Sequence, residues 1–377
     1  MLALVNARVL IDGSFAPDAA VLVEGARIAA VVPCAGVPAD AERIDLDDAM
    51  LVPGFVDTQV NGGGDALFND APTVATIRRI GAAHARFGTT GFLPTLISDD
   101  LDVIREGIAA VDAAIEAGVP GVLGIHVEGP FINVARKGIH AADKIRPIDD
   151  ADIAVLTSLR HGRTLVTLAP EMVGPDAIRR LAGSGVIVSA GHTAGTYAEI
   201  AEAMAAGVTG ATHLFNAMSP LGNREPGAVG AALAHDDVWC ALIVDGIHVS
   251  PVTLGLALRC KPSAKFMLVS DAMPTTGGAA RSFMLNGREI SAEGGRLVDG
   301  EGTLAGADLD MLAAVVNAQR LLGVSAETAL AMASANPADF LRLSGQVGRI
   351  AAGRVASMLA IDRDWSIRQR WIAGVAS

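Results

Sequence analysis

Five ionisable side chains stand where apolar, strand-like runs give out. Glu128 follows GIHV, His192 follows VIVSAG, His213 follows GAT, His248 follows WCALIVDGI and Asp271 follows KFMLVS. One carboxylate with two imidazoles, as in Glu128, His192 and His213, is a ligand set for a catalytic divalent cation, leaving a coordination position open for water. A hard oxygen with two borderline nitrogens suits Zn²⁺ and also Fe²⁺. A cation so held brings the pKa of its water to roughly 7. Asp271 would then take a proton from that water and return it to a leaving group. On residue types and spacing alone a second reading stands beside this one, in which each is a structural residue satisfied at a strand end.

The chemistry requires side chains far apart in sequence to meet. Strand-like runs recur through the middle of the chain: GTTGFLPTLI, VLGIHVEGPF, TLVTLAPE, GVIVSAGHT, GATHLFNAM, WCALIVDGIHV and KFMLVSDAM. Most are separated by segments of helical length, such as TVATIRRIGAAHARF and YAEIAEAMAAG. Such alternation implies a parallel sheet covered by helices. About seven or eight units over roughly 290 residues suit an α/β fold of the (β/α)₈ TIM-like barrel type, whose strands converge with their C-terminal ends on one mouth. A doubly wound sheet would need a glycine-rich phosphate turn, and NGGGD at 61–65 lacks the GxGxxG spacing. Both chain ends read as short strands separated by Gly and Pro turns. Neither is long enough to bury a sheet alone. The expected organisation is therefore a small β-sandwich domain from residues 1–52 and 345–377 around a barrel at 53–344.

Hydrophobic residues make up 51% of the 377, enough for a large core, and the net charge of −12 excludes nucleic acid as the main partner. The three cysteines, Cys34, Cys240 and Cys260, form no CxxC, so incidental thiols in a reducing cytoplasm are expected. The N-terminus MLALVNARVLIDG reads as a strand and turn and not as a signal peptide. Uncharged stretches such as 203–223 contain Gly, Asn, Pro and His, which a membrane span would rarely combine. A soluble, cytoplasmic protein is the expectation. His84, His161 and His235 sit in helix-like or loop segments and are read as structural. His126 shares a strand face with Glu128 and is read as support.

Longer stretches carry a resemblance. PGFVDTQVNGGGD at 53–65 resembles the PGF-D-x-H-x-H stretch that opens the barrel in the amidohydrolase superfamily. HVEGPF, KGIH, GHT, THLFNAM, REPG, DGIHV and SDAM then follow in order, and together they resemble the N-acetylglucosamine-6-phosphate deacetylase family. The resemblance implies metal-dependent hydrolysis of the acetamide of N-acetylglucosamine 6-phosphate in a homodimer. It implies Glu128, His192 and His213 as metal ligands, Asp271 as acid/base and His140 near the acetyl carbonyl. Substrate contacts are implied at Ile139, Asn216, Ala217, Arg224, Asp245, His248, Leu304, Ala305 and Gly306, with the phosphate as target of Asn216, Ala217, Arg224 and His248. A sister amidohydrolase acting on another N-acylamino sugar or a cyclic amide is the alternative. Where many superfamily members have His-x-His, this chain has Gln59, Val60, Asn61. Amides are poor zinc ligands, so one metal per subunit is expected, with Gln59 orienting Glu128 or the metal's water. Ala307 stands where relatives often have Ser, which touches a sugar contact and not the chemistry.

Overall fold

The computed structural model describes residues 1–376. Strands β1 (Leu2–Ile11), β2 (Ser14–Glu24), β3 (Arg27–Pro33) and β4 (Glu42–Pro53) open the chain and belong to a sheet that the C-terminus completes. The chain then enters a second sheet through β5 (Phe55–Val60). A two-residue pair, β6 (Gly62–Gly63) and β7 (Ala66–Leu67), follows it. Next come β8 (Thr89–Leu96), β9 (Gly124–Glu128), β10 (Arg163–Leu168), β11 (Ile187–Ala190), β12 (Val208–Ala211), β13 (Trp239–Leu242) and β14 (Phe266–Leu268).

The eight strands β5 and β8 to β14 are parallel and lie in chain order, giving the expected TIM-like barrel. Strands covered on both faces read as continuous apolar runs, and every residue of β5, β8 and β9 is buried. Alternation still sorts the side chains. Ile125 and Val127 of β9 pack outward with Ile104, Ile108 and Val111 of the helix Leu101–Glu116, while His126 and Glu128 face the lumen. There His126 bonds to Thr95 and Thr167, and Thr167 continues through Thr212 to Ser189. These hydroxyls form a polar floor beneath Glu128.

The helix Tyr197–Ala206 links β11 to β12 and sets the distance from His192 to His213. It begins in a capping box, in which Thr196 accepts from the Glu199 N–H and Glu199 accepts from the Thr196 N–H. Ile200, Ala203 and Ala206 form its buried stripe.

After β14 comes an antiparallel sheet that the sequence did not announce: β15 (Ser282–Leu285), β16 (Arg288–Glu293), β17 (Arg296–Val298) and β18 (Leu304–Ala307). β18 returns to the barrel mouth, where the Ala307 N–H donates to the Asp271 carbonyl at 2.9 Å. Finally β19 (Met358–Ile361), β20 (Ile367–Ile372) and β21 (Val375–Ala376) complete the terminal sheet in the order β21-β20-β19-β4-β1-β2-β3. The small β unit from both termini is thus one continuous sheet curled over its core. Arg27 bridges to Val355, and Leu4, Val9, Val21, Leu51, Met358 and Trp371 fill the inside.

Candidate active site

Glu128 ends β9, and His192, His213 and Asp271 follow β11, β12 and β14 within three residues. The last three leave their strands with φ of 48°, 31° and 50°. Left-handed backbone in a non-glycine residue costs on the order of 1 kcal/mol or more, and such strain collects at functional sites. Here it turns the chain sharply at each of these side chains.

His213 Nε2 lies 2.9 Å from Glu128 Oε1, His192 Nε2 lies 3.3 Å from the same oxygen, and the two nitrogens are 3.2 Å apart. Ligands bound about 2.0–2.2 Å from a tetrahedral ion stand about 3.4 Å from one another. The triangle is a face of such a tetrahedron, drawn in slightly. Burial opposes the charge of Glu128, but the imidazoles of His192 and His213 set against it overcome that and hold the carboxyl well below its usual range. Burial also opposes charge on His213, yet the Glu128 carboxylate raises that imidazole above its ordinary value. A buried anion flanked by imidazole nitrogens calls for positive charge at its centre, and the residues present fit a divalent cation.

Two backbone groups decide which histidines can bind it. The Arg136 carbonyl lies 2.8 Å from His192 Nδ1. A carbonyl only accepts, so the proton of the neutral ring is on Nδ1 and Nε2 turns a lone pair toward Glu128 and His213. At His140 the opposite holds. The Ser98 N–H donates to Nδ1 at 3.2 Å, and the Ser98 hydroxyl lies 2.7 Å from the same atom. An N–H only donates, so the proton is on Nε2. Burial pushes His140 down to about 3 and keeps it neutral. His140 has a ligand atom within 4.8 Å of those of Glu128 and His192, but this tautomer offers an N–H and not a lone pair. Gly129 keeps the arrangement open: its φ is +79°, and a Cβ there would stand 2.2 Å from the Ser98 hydroxyl oxygen.

Asp271 is buried, and its carboxyl is pushed up to about 6 by that burial and by the charge of Glu128. Asn61 Nδ2 donates to Asp271 Oδ1 at 2.7 Å, and Gln59 Nε2 donates to Glu128 Oε1 at 3.0 Å. The two amides that stand in for His-x-His therefore point N–H groups at the two carboxylates.

These side chains open on a cavity of about 350 Å³, within the range of small-molecule sites. Of the residues singled out from sequence, Ile139, His140, Asn216, Ala217, His248, Leu304 and Gly306 line it. Asp245 stands behind the wall, where its carboxylate accepts from His248 Nδ1 at 2.5 Å and leaves Nε2 for the cavity. Ala305 is turned into a core with Met273, Ile290 and Leu297. Arg224 lies exposed on a loop and does not reach the cavity of its own chain. Arg136, Ile97, Ile243, Met273 and Thr303 also line the site and were not anticipated. Arg136 directly precedes KGIH, so closeness to that motif was the signal available. The set-aside histidines lie elsewhere: His84 bonds to the Gly62 carbonyl, His161 to Asp112, and His235 packs by Tyr197.

Comparisons with known proteins bear on the same site. A model of the amidohydrolase family matches residues 50–376. The N-acetylgalactosamine-6-phosphate deacetylase of Shewanella sp. (strain ANA-3) is 42% identical over 336 residues, covering 89% of this chain and 85% of that protein. The N-acetylglucosamine-6-phosphate deacetylase of Vibrio furnissii is 34% identical over 372 residues, covering 97% and 92%. The crystal structure of N-acetylglucosamine-6-phosphate deacetylase from Pasteurella multocida superposes with a TM-score of 0.96 at 32% identity, covering 100% of this chain and 99% of that one. The chain therefore belongs to the amidohydrolase family of metal-dependent hydrolases, together with the N-acetylglucosamine- and N-acetylgalactosamine-6-phosphate deacetylases.

Proposed function

We propose that this chain removes the acetyl group of N-acetylglucosamine 6-phosphate, giving glucosamine 6-phosphate and acetate, with one Zn²⁺ per subunit held by Glu128, His192 and His213. The observation that carries the reading is the triangle of ligand atoms with sides of 2.9, 3.2 and 3.3 Å, set beside the buried Asp271. Two imidazoles and one carboxylate favour Zn²⁺, with Fe²⁺ the alternative. A second tightly held metal is not expected, because Gln59 and Asn61 already donate N–H groups to Glu128 and Asp271.

A cation at this position supplies the charge that acidifies water and polarises the acetamide carbonyl. Asp271 takes a proton from the attacking water and passes it to the departing amine nitrogen. His140 donates its Nε2–H to the carbonyl oxygen as negative charge builds there. Asn216, Ala217 and His248 meet the phosphate end, and Ile139, Leu304 and Gly306 frame the sugar, with Ala305 behind them. His140→Ala should lower kcat by about 10²-fold, the usual loss for one oxyanion donor, with a smaller change in KM. Steady-state kinetics checks this.

Arg224, exposed outside its own cavity, acquires a role if the enzyme is a homodimer in which it reaches the phosphate of the neighbouring subunit's substrate. Arg224→Ala then raises KM for the phosphorylated sugar about tenfold, the scale of one charge-assisted hydrogen bond, and does so more than it lowers kcat. Sedimentation of the wild type gives the oligomeric state independently. Among the described residues no helix is long and apolar enough to cross a membrane. The cysteines are unpaired, which suits the reducing cytoplasm where we place the enzyme. We take residues 1–52 with 345–377 as the small β domain and 53–344 as the catalytic barrel.

The 42% identity to an N-acetylgalactosamine-6-phosphate deacetylase supports a second reading, with the galacto epimer as substrate. Acetate release from both phosphosugars and from unphosphorylated N-acetylglucosamine, with metal removed and with Zn²⁺ restored, decides between them. A higher kcat/KM on the galacto epimer replaces the first reading with the second. Preference for the unphosphorylated sugar favours another amidohydrolase activity, and turnover indifferent to metal ends both.

A further inference from the structure

A closed barrel must join its first strand to its last, and here that join is thin. β14 spans only Phe266–Leu268 and shares no continuous ladder with β5 among the described residues. Backbone bonding across the seam comes beyond the strand ends, where the N–H groups of Asn61 and Gly62 both reach the Ala272 carbonyl, at 3.0 and 2.9 Å. Below that level a side chain spans the gap. Asp57 of β5 is fully buried. Its Oδ2 accepts the Ser270 hydroxyl at 2.5 Å, and its Oδ1 accepts the N–H groups of Ser270 at 3.3 Å and Gln59 at 3.2 Å. The Ser270 hydroxyl oxygen in turn accepts the Ala272 N–H at 3.2 Å.

One carboxylate thus holds Ser270, just past the last strand, directly and Ala272 through the Ser270 hydroxyl, and it holds Gln59 on the first strand. Asp271 sits between the two anchored residues, with its backbone at φ +50°. Asn61, two residues beyond Gln59, supplies the 2.7 Å hydrogen bond to the Asp271 carboxylate. No Lys or Arg side chain is bonded to Asp57 among the described residues. Burial without a cation beside it pushes the Asp57 carboxyl up to about 7, and packing alone would not call for such a group there. We propose that Asp57 is a positioning residue for the hydrolytic reaction, its carboxylate clasping the barrel's closing seam and fixing the orientation from which Asp271 exchanges protons. The inference rests on the proton-transfer role given to Asp271 above.

Asp57→Asn keeps the shape but puts an N–H donor in place of one acceptor oxygen, so either the Ser270 N–H loses its acceptor or the Ser270 hydroxyl must turn away to the Gln59 carbonyl. The expected result is a fall in kcat of about 10²-fold, the scale of a misplaced catalytic group, with KM and zinc per chain near wild type. Ser270→Ala breaks the same link and should reproduce the loss, and the double variant should be no slower than Asp57→Asn alone. Should Asp57→Asn fail to fold, Ser270→Ala carries the test. Wild-type kcat in either folded variant overturns the proposal, as do additive losses in the double variant. Loss of zinc and melting temperature in step with activity overturns it too, since that makes Asp57 merely structural. Wild-type turnover reports on the substrate, whereas the variant-to-wild-type ratio on whichever amide is hydrolysed reports on Asp57, so the two readings fail separately.

Discussion

Asp271→Asn should fold, hold its metal and lose about 10³-fold in kcat, within the span usual for removing general acid–base catalysis. The substitution is nearly isosteric. Asn61 Nδ2 still finds an oxygen where it now meets Asp271 Oδ1 at 2.7 Å, so the geometry survives and only proton exchange is lost. The same residue sets the pH dependence. Burial and the Glu128 charge push its carboxyl up to about 6, while His213, His248 and the Asn61 hydrogen bond pull against them. With the ionised form as the proposed working base, turnover should be full above that pKa and fall as pH drops through it. A bound cation favours the ionised form, placing the acid limb at or below pH 6. A kcat–pH profile of wild type and variant checks both points. Unchanged kcat, or the same acid limb in the variant, removes Asp271 from the mechanism.

Stripping the metal should lower acetate release by about 10³-fold, since several kcal/mol of transition-state stabilisation are at stake and 1.36 kcal/mol is worth a factor of ten. Zn²⁺ added back should restore it. Stability follows the same linkage: free Zn²⁺ a thousandfold above its Kd contributes about 4 kcal/mol, so the chelated protein should melt at a lower temperature. Glu128→Gln separates charge from shape. The Gln59 Nε2–H that lies 3.0 Å from Glu128 Oε1 still meets an amide oxygen, but the anion that balances the cation is gone. Metal affinity should fall by more than about 100-fold, the upper figure for losing a supporting hydrogen bond around a ligand. Metal content after dialysis against a competing chelator measures this. A variant that keeps its metal contradicts the site.

The terminal strands and the barrel were legible because their signals are local. The runs ending in Glu128, His192, His213 and Asp271 are apolar for the length of a strand and then polar, which is the pattern of a buried parallel strand reaching a mouth. The sheet at 282–307 was not legible. SFML, REISAE and RLV are short and half exposed, and antiparallel pieces of that length leave little periodicity to read. Arg136 is a similar case: its contribution to His192 is a backbone carbonyl, which every residue possesses, so side-chain identity could not reveal it. Arg224 shows the converse, since its type suits a phosphate yet the loop leaves it outside the cavity of its own chain.

By itself the amino-acid sequence determined which groups are available for chemistry and the order in which strands deliver them to one mouth. Apolar periodicity and residue type are properties of each segment alone. Only the tertiary structure decided what each group can do. His140 and His192 are chemically the same side chain, yet one faces the Ser98 N–H and the other the Arg136 carbonyl, so one presents a proton and the other a lone pair. Likewise Gln59 and Asn61 became donors to Glu128 and Asp271 only because the closing of the barrel brought those carboxylates to them. Hydrogen-bond partners 42 to 210 residues away exist only once the chain has folded, and it is they that set protonation, charge and direction.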